Sequence, residues 1–287
     1  MRGVRDAQAV GRCSASAQHP VRNSVTSKVL PRPGMLRVAE GGVLSAAEAI
    51  AACALFGISG NSVRVTLARL SQARLVEAAG RGLYRLGPAG RAIAADIAGW
   101  RSVEERLVPW DGRWVAASTG GLPRSDRKLL RARNRALSML GMRELDNGLF
   151  VRPDNFVGGV DAVRQRLDGL GLERGAAVFR ADGFDGARQK RAMRLWDTAA
   201  LIESYRRETA RLEAWAGRAN GLPLDVAARD SFVLGGSGIR RIVFDPMLPA
   251  PLVAEAERRA FIDAVIRFDD LGRRIWTRFL GTVQNGS

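Results

Sequence analysis

The stretch from Ser45 to Leu86 restricts the chain most, because it demands one particular path over a short length. Ser45-Ala46-Ala47-Glu48 has the spacing of a capping box, in which the serine hydroxyl satisfies an exposed backbone amide and the glutamate reaches back to the cap. A helix therefore starts there, with Ala46, Ile50, Ala54 and Leu55 expected inward. Phe56-Gly57-Ile58 follows, where glycine permits a sharp turn, and Ser59 stands where it can cap a second helix. In that helix Val63, Leu67 and Leu70 recur at i, i+4 and i+7 and should face a core. Leu75 to Ala79 and Leu83 to Leu86 then read as two short strands joined across Gly80-Arg81-Gly82.

Helix, turn, helix and hairpin in this order predict a winged helix-turn-helix. The side of the second helix opposite the apolar stripe carries Asn61, Ser62, Arg64, Ala68 and Arg69. On a helix laid in the major groove, arginine can pair with guanine and asparagine with adenine, and the N-terminal turns sit nearest the bases. Asn61, Ser62 and Arg64 are thus the base-reading candidates, and Arg69 is assigned to phosphates. Arg81, between two glycines, would reach a phosphate or the minor groove. With the cap Ser59 and the hairpin residues Tyr84 and Arg85 they make up the candidate DNA-binding set. The formal net charge of +16 agrees with a polyanionic partner. Lysine, however, occurs only at Lys28, Lys128 and Lys190, an arginine bias that a GC-rich genome alone produces.

Several chemistries lack their residues. The single histidine is His19, in a segment of Ser, Gln and Pro, so no Ser-His-Asp, Cys-His or His-ligated metal mechanism has an imidazole in place. Cys13 and Cys53 offer neither a disulfide framework nor a zinc site. Gly235-Gly236-Ser237-Gly238 lacks the lysine of a phosphate loop and is expected to be a loop between helices. Neither a resident cofactor nor a metal is expected, and the chain is read as no enzyme. Without a membrane-length apolar window or a secretory signal it is expected to be cytoplasmic.

The chain divides into four parts. Residues 1–38, with scattered Gly, Ser and Pro, read as a disordered extension, and Met35 as an alternative start. Residues 39–99 hold the winged helix. Residues 100–186 read strand, helix, strand, strand, helix, strand: Val115 to Thr119, Asp126 to Leu140, Met142 to Leu145, Leu149 to Arg152, Val160 to Leu170 and Ala176 to Arg180. That βαββαβ order is the ferredoxin-like arrangement. Leu129, Leu130, Ala136, Leu137 and Leu140 are expected on one face of its first helix, and Asn147-Gly148 suits the hairpin turn. Residues 187–287 read as helical: Arg188 through Ala219, Leu224 to Leu234 and Leu252 to Ile275, the last pair parted by the proline-rich Phe244 to Pro251. The fold class is α+β.

Two motifs carry a family resemblance. The run from Leu55 to Val65 with Gly80 to Leu86, and the late Asp245-Pro246-Met247-Leu248-Pro249, resemble the PaaX family of phenylacetate-catabolism repressors, over roughly residues 43 to 280. The resemblance implies a homodimeric repressor on double-stranded operator DNA. Its modules would be a winged helix, a ferredoxin-like middle of Cas2-like fold and a helical end. It also implies release of DNA on binding an effector such as phenylacetyl-coenzyme A, another acyl thioester or an aromatic acid. The apolar first helix usual before the Val43 position is represented here only by Val29-Leu30 and Met35 to Val38.

The remaining charged and aromatic groups have plainer readings. Arg124, Arg127, Lys128, Arg131, Arg133 and Arg135 form a stripe suited to a solvated helix face, or else to DNA flanks or coenzyme phosphates. Arg188, Lys190, Arg191, Arg194, Arg240 and Arg241 form a second cationic region. Trp196, Trp215 and Trp276 are expected on helices in the core, with an aromatic-acid pocket as the alternative. Glu203, Glu208 and Glu213 among Arg206, Arg207 and Arg211 read as ion pairs along one helix surface, and Asp269 and Asp270 should point apart. Two rival functions remain: a winged-helix scaffold that binds no specific DNA, and a Cas2-like metal-dependent nuclease. The nuclease would need carboxylates at strand ends, where Asp111 is the nearest acid to the first strand.

Overall fold

The computed structural model describes residues 42–91, 94 and 99–285. The expected extension over 1–38, with Cys13, His19 and Met35, lies outside the described residues, as does the question of a helix before Val43. The architecture is α+β, with two antiparallel sheets. It divides at residue 92/93 into two units, the first also taking the chain end from Val283.

In the first unit β1 (Val43–Ser45) leads into α1 (Ala46–Ala54), and α2 (Gly60–Gln72) is followed by β2 (Val76–Gly80) and β3 (Leu83–Leu86). The three strands pair antiparallel in the order β1-β3-β2. Ser45 caps α1 through a full capping box with Glu48. The inward face of α1 differs from expectation: Ala49, Ala52 and Cys53 are buried, Ile50 is half-buried and Ala54 is exposed. Pairing of Val43 to Ser45 with β3 fixes the entry of the helix and so its rotation, which the short alanine-rich sequence left open. Burial among apolar neighbours pushes the Cys53 thiol up to about 11, so it stays protonated.

The second unit contains β4 (Trp114–Ser118), α3 (Arg127–Met139), β5 (Arg143–Asp146), β6 (Leu149–Pro153), α4 (Gly159–Gly169) and β7 (Ala177–Ala181). The sheet order is β5-β6-β4-β7, antiparallel throughout. Val115 and Ala117 pack on Ala136 and Leu137 of α3, its C-cap Leu140, and Val163 and Leu167 of α4. On the other face Trp114 stacks on Trp196 at 6.3 Å and donates to Gln189 Oε1 at 3.1 Å. Two expectations for α3 are corrected. Leu129 is 44% exposed, whereas Arg133, assigned to the solvated stripe, is 2% exposed. The buried face runs Arg133, Ala136, Leu137, Leu140, and Glu173 makes an arginine tolerable there.

The chain then forms α5 (Gly186–Ala192), α6 (Thr198–Arg218), α7 (Leu224–Val243) and α8 (Glu255–Asn285). The single helix expected from Arg188 to Ala219 is broken, because Asp197 caps α6 through Ala200 N at 2.9 Å. Trp196 therefore lies between helices, donating to Gly141 O at 3.0 Å, while Trp215 and Trp276 are buried on α6 and α8. The expected loop at Gly235 to Gly238 is instead interior to α7. A Cβ on Gly238 would stand 3.0 Å from Val265 and one on Gly235 3.5 Å from Phe268. Gly238 thus lets α8 approach α7, a packing gain that outweighs its low helix propensity. Along α6 Arg211 pairs with Glu208 at 3.6 Å as expected, while Arg206 pairs with Glu257 and Glu213 with Arg267 on α8. Asp269 and Asp270 do not act apart, since Arg101 donates to both.

Candidate nucleic-acid interface

Ser59 is the cap of α2, and its hydroxyl lies 3.4 Å from Ser62 N and 3.0 Å from Ser62 Oγ. Both serines are therefore engaged at the helix start, though Ser59 stays exposed. Val63, Leu67 and Leu70 are buried as their spacing required. The opposite face presents Asn61, Arg64, Val65, Ala68, Arg69 and Gln72, all exposed, at intervals of three and four. No hydrogen bond or ion pair to another described residue occupies the side chains of Asn61, Arg64 or Arg69.

The hairpin turns at Arg81-Gly82, where Gly82 has φ +70, a backbone region that favours glycine. Arg81 projects from this turn, exposed, and has no described partner. Arg85 differs. Glu77 stands directly opposite on β2 and accepts from Arg85 Nε at 2.7 Å, and Arg91 reaches the same oxygen at 3.3 Å. These guanidinium groups hold the Glu77 carboxyl below the usual range. Tyr84 is half-buried in the same strand. Of the eight expected residues, then, Asn61, Arg64, Arg69 and Arg81 are exposed without a side-chain partner among the described residues, Ser59 and Ser62 are tied together, Tyr84 is half-buried and Arg85 is paired.

Val65 is a further residue of this face, beyond those its polar pattern predicts. It is 46% exposed at the centre of the polar stripe. Its spacing from the apolar stripe, next to neither Val63 nor Leu67 on the helix face, was the available signal. An exposed methyl pair between arginines has the chemistry to contact a thymine methyl.

Carboxylates needed for metal chemistry do not converge: among the described residues no group of three or more His, Cys, Asp or Glu could hold a metal ion. Asp111, the acid nearest β4, is bound by Arg113, which holds its carboxyl down at about 2. No helix among the described residues is long and apolar enough to cross a membrane.

A further polar network lies around the Asp245 to Pro249 connector. Tyr205 donates to Asp245 Oδ2 at 2.6 Å, Met247 N to Asp245 Oδ1 at 2.8 Å, and Asn155 Nδ2 to Met247 O at 2.8 Å. Burial pushes the Asp245 carboxyl up. Arg152, fully enclosed, donates to Asn155 Oδ1 at 2.9 Å and lies 3.7 Å over the Phe156 ring, and desolvation lowers its guanidinium to about 9.

Comparison with known proteins bears on this helical end. No curated protein matches the chain. The uncharacterized protein Rv0674 from Mycobacterium tuberculosis superposes with a TM-score of 0.54 at 24% identity, over 83% of this chain and 95% of that one, a likeness of fold. Residues 196–278, which include the Asp245 to Pro249 motif, match the PaaX-like protein C-terminal domain. The chain carries a PaaX-like C-terminal domain.

Proposed function

We propose that the chain is a DNA-binding transcriptional regulator, a repressor of a catabolic operon of the phenylacetate type. The observation that carries this reading is the exposed stripe Asn61, Arg64, Val65, Ala68 and Arg69 on α2, flanked by Arg81 on a hairpin turn, with its cations unpartnered among the described residues. A winged helix-turn-helix over residues 39–99 would insert α2 in the major groove and lay the hairpin on the neighbouring phosphates. The β5-β6-β4-β7 sheet order supports a ferredoxin-like middle over 100–186, and a helical module over 187–287 completes the proposed organisation. A homodimer would present two copies of α2 to successive half-sites. An acyl-coenzyme A such as phenylacetyl-coenzyme A, or an aromatic acid, would shift the dimer to a spacing that no longer fits them. Ser59 and Ser62 act in this scheme by fixing the helix start, Tyr84 by contact along the hairpin, and Arg85 through the strand pairing it makes with Glu77.

The test is a gel shift on duplexes from the protein's own upstream region at fixed salt, with and without a panel of acyl thioesters. Arg64→Ala and Arg81→Ala should each weaken binding about tenfold or more, as expected for loss of a charged hydrogen bond. Unchanged affinity in both variants would remove the assigned interface, and absence of sequence-specific binding by the wild type would favour the scaffold reading.

A further inference from the structure

A cleft of about 380 Å³ opens beside the C-terminal end of α7, lined by Leu201, Ser237, Arg240, Arg241, Phe244 and the connector residues Asp245 and Pro246. Its volume falls in the range of small-molecule sites, roughly 300–1,000 Å³. The lining has two chemically distinct halves. Arg240 and Arg241 are adjacent cations on the last turn of α7, and Ser237 stands one turn earlier with an exposed hydroxyl. Leu201, Phe244 and Pro246 form the other half, and Phe244 is 41% exposed although it is a large aromatic. The Arg240 guanidinium lies 5.5 Å from the Phe244 ring centroid, which holds cation and apolar wall side by side. The acid nearest Arg241 is Glu208, and at 3.9 Å the pair is too long for a hydrogen bond. Both Asp245 oxygens are turned to the protein, accepting from Tyr205 Oη and Met247 N.

We infer that this cleft binds a small amphiphilic organic anion, its acidic group held by Arg240 and Arg241 and its apolar body against Leu201, Phe244 and Pro246. Paired guanidiniums suit the forked geometry of a carboxylate or phosphate. The exposed ring and proline supply the apolar contact that a bare inorganic anion would not use. The cleft floor is also joined to the four-stranded sheet. A Cβ on Gly141 would fall 2.5 Å from Pro246 Cα, Arg152 Nη2 lies 3.5 Å from Pro246 O, and Asn155 holds Met247 O. An occupant pressing on Pro246 thus acts on a segment bonded to β6 and the loop after it. Only the consequence, that this occupant is the effector of a regulator, rests on the function proposed above; the binding itself does not.

The experiment uses the full chain and 4-benzoylbenzoate, a photoreactive aromatic carboxylate, with inorganic phosphate as competitor. Saturable binding is expected, with photolabelling confined to peptides containing Leu201 or Ser237 to Pro246. Arg240→Gln and Arg241→Gln should each weaken it about tenfold, the loss of one charged hydrogen bond. Equimolar phosphate should leave the probe in place. Labelling elsewhere, non-saturable uptake, or affinity unchanged in both variants overturns the inference, and displacement by phosphate refutes its apolar half. If a variant melts at a lower temperature than wild type, the wild-type labelling map decides alone. Labelling at the cleft without any effect on DNA binding would count against the regulatory function and leave the site standing.

Discussion

Arg133 and Glu173 meet where one of them is almost dry. Arg133 Nε donates to Glu173 Oε2 at 3.0 Å, its Nη2 also reaches the carboxylate and Pro123 O, and the arginine side chain is 3% exposed against 19% for the glutamate. The guanidinium holds the Glu173 carboxyl below its ordinary value. A depressed folded pKa stabilises the fold above the unfolded value, near 4.3, and that contribution is lost as pH falls through the lower folded value. Glu173→Gln, which removes the negative charge facing Arg133 but keeps one acceptor oxygen, should cost on the order of 1 kcal/mol at neutral pH, and the gap from wild type should narrow as pH falls below about 4. Urea melts of both proteins across pH 3 to 7 would check it; a gap independent of pH would sink the ion-pair account. From sequence, Arg133 is one of six cations between Arg124 and Arg135, and only packing against α4's following loop distinguishes it. Arg85 and Glu77 were equally hidden, because their pairing depends on strand register and not on spacing in the chain.

At the scale of the element, α7 tests what glycine does inside a helix. Gly235 and Gly238 face α8 at different distances. Gly235→Ala adds a methyl at ordinary contact distance from Phe268 while raising helix propensity, so a gain of roughly 0.5–1 kcal/mol is expected. Gly238→Val crowds Val265 and Leu212 and should cost roughly 1–3 kcal/mol. Thermal melts should therefore move in opposite directions for two substitutions one turn apart; movement in the same direction would refute close helix approach as the reason for Gly238. Local propensity alone favours a loop for this cluster, because glycine is a poor helix former. The α5/α6 break was legible in principle, since Asp197 three residues before Ala200 is a cap spacing, but the apolar periodicity on either side masked it.

For the whole molecule, the net charge of +16 sets a long-range attraction to polyanions but does not count contacts. The salt dependence of DNA affinity does: log K should fall with log salt by about 0.9 per phosphate contacted. Arg69→Ala should reduce that slope by roughly one contact across all sequences, whereas Arg64→Ala should change base preference more than slope. A filter-binding series at several salt concentrations would show it, and a slope unchanged in Arg69→Ala would remove this residue from the phosphate set. The sequence by itself determined the elements with strong local codes: the Ser45 to Glu48 capping box, the apolar stripe of α2, the Asn147-Gly148 turn and the strand-helix order of the middle. In each, spacing and turn chemistry along the chain decide the outcome. Only the tertiary structure decided which cations are free and which are paired, why Gly238 sits in a helix, and that Arg240, Arg241 and Phe244 open on one cleft with Leu201. Those outcomes depend on groups distant in the chain, whose approach is set by packing and desolvation, and no local pattern encodes them.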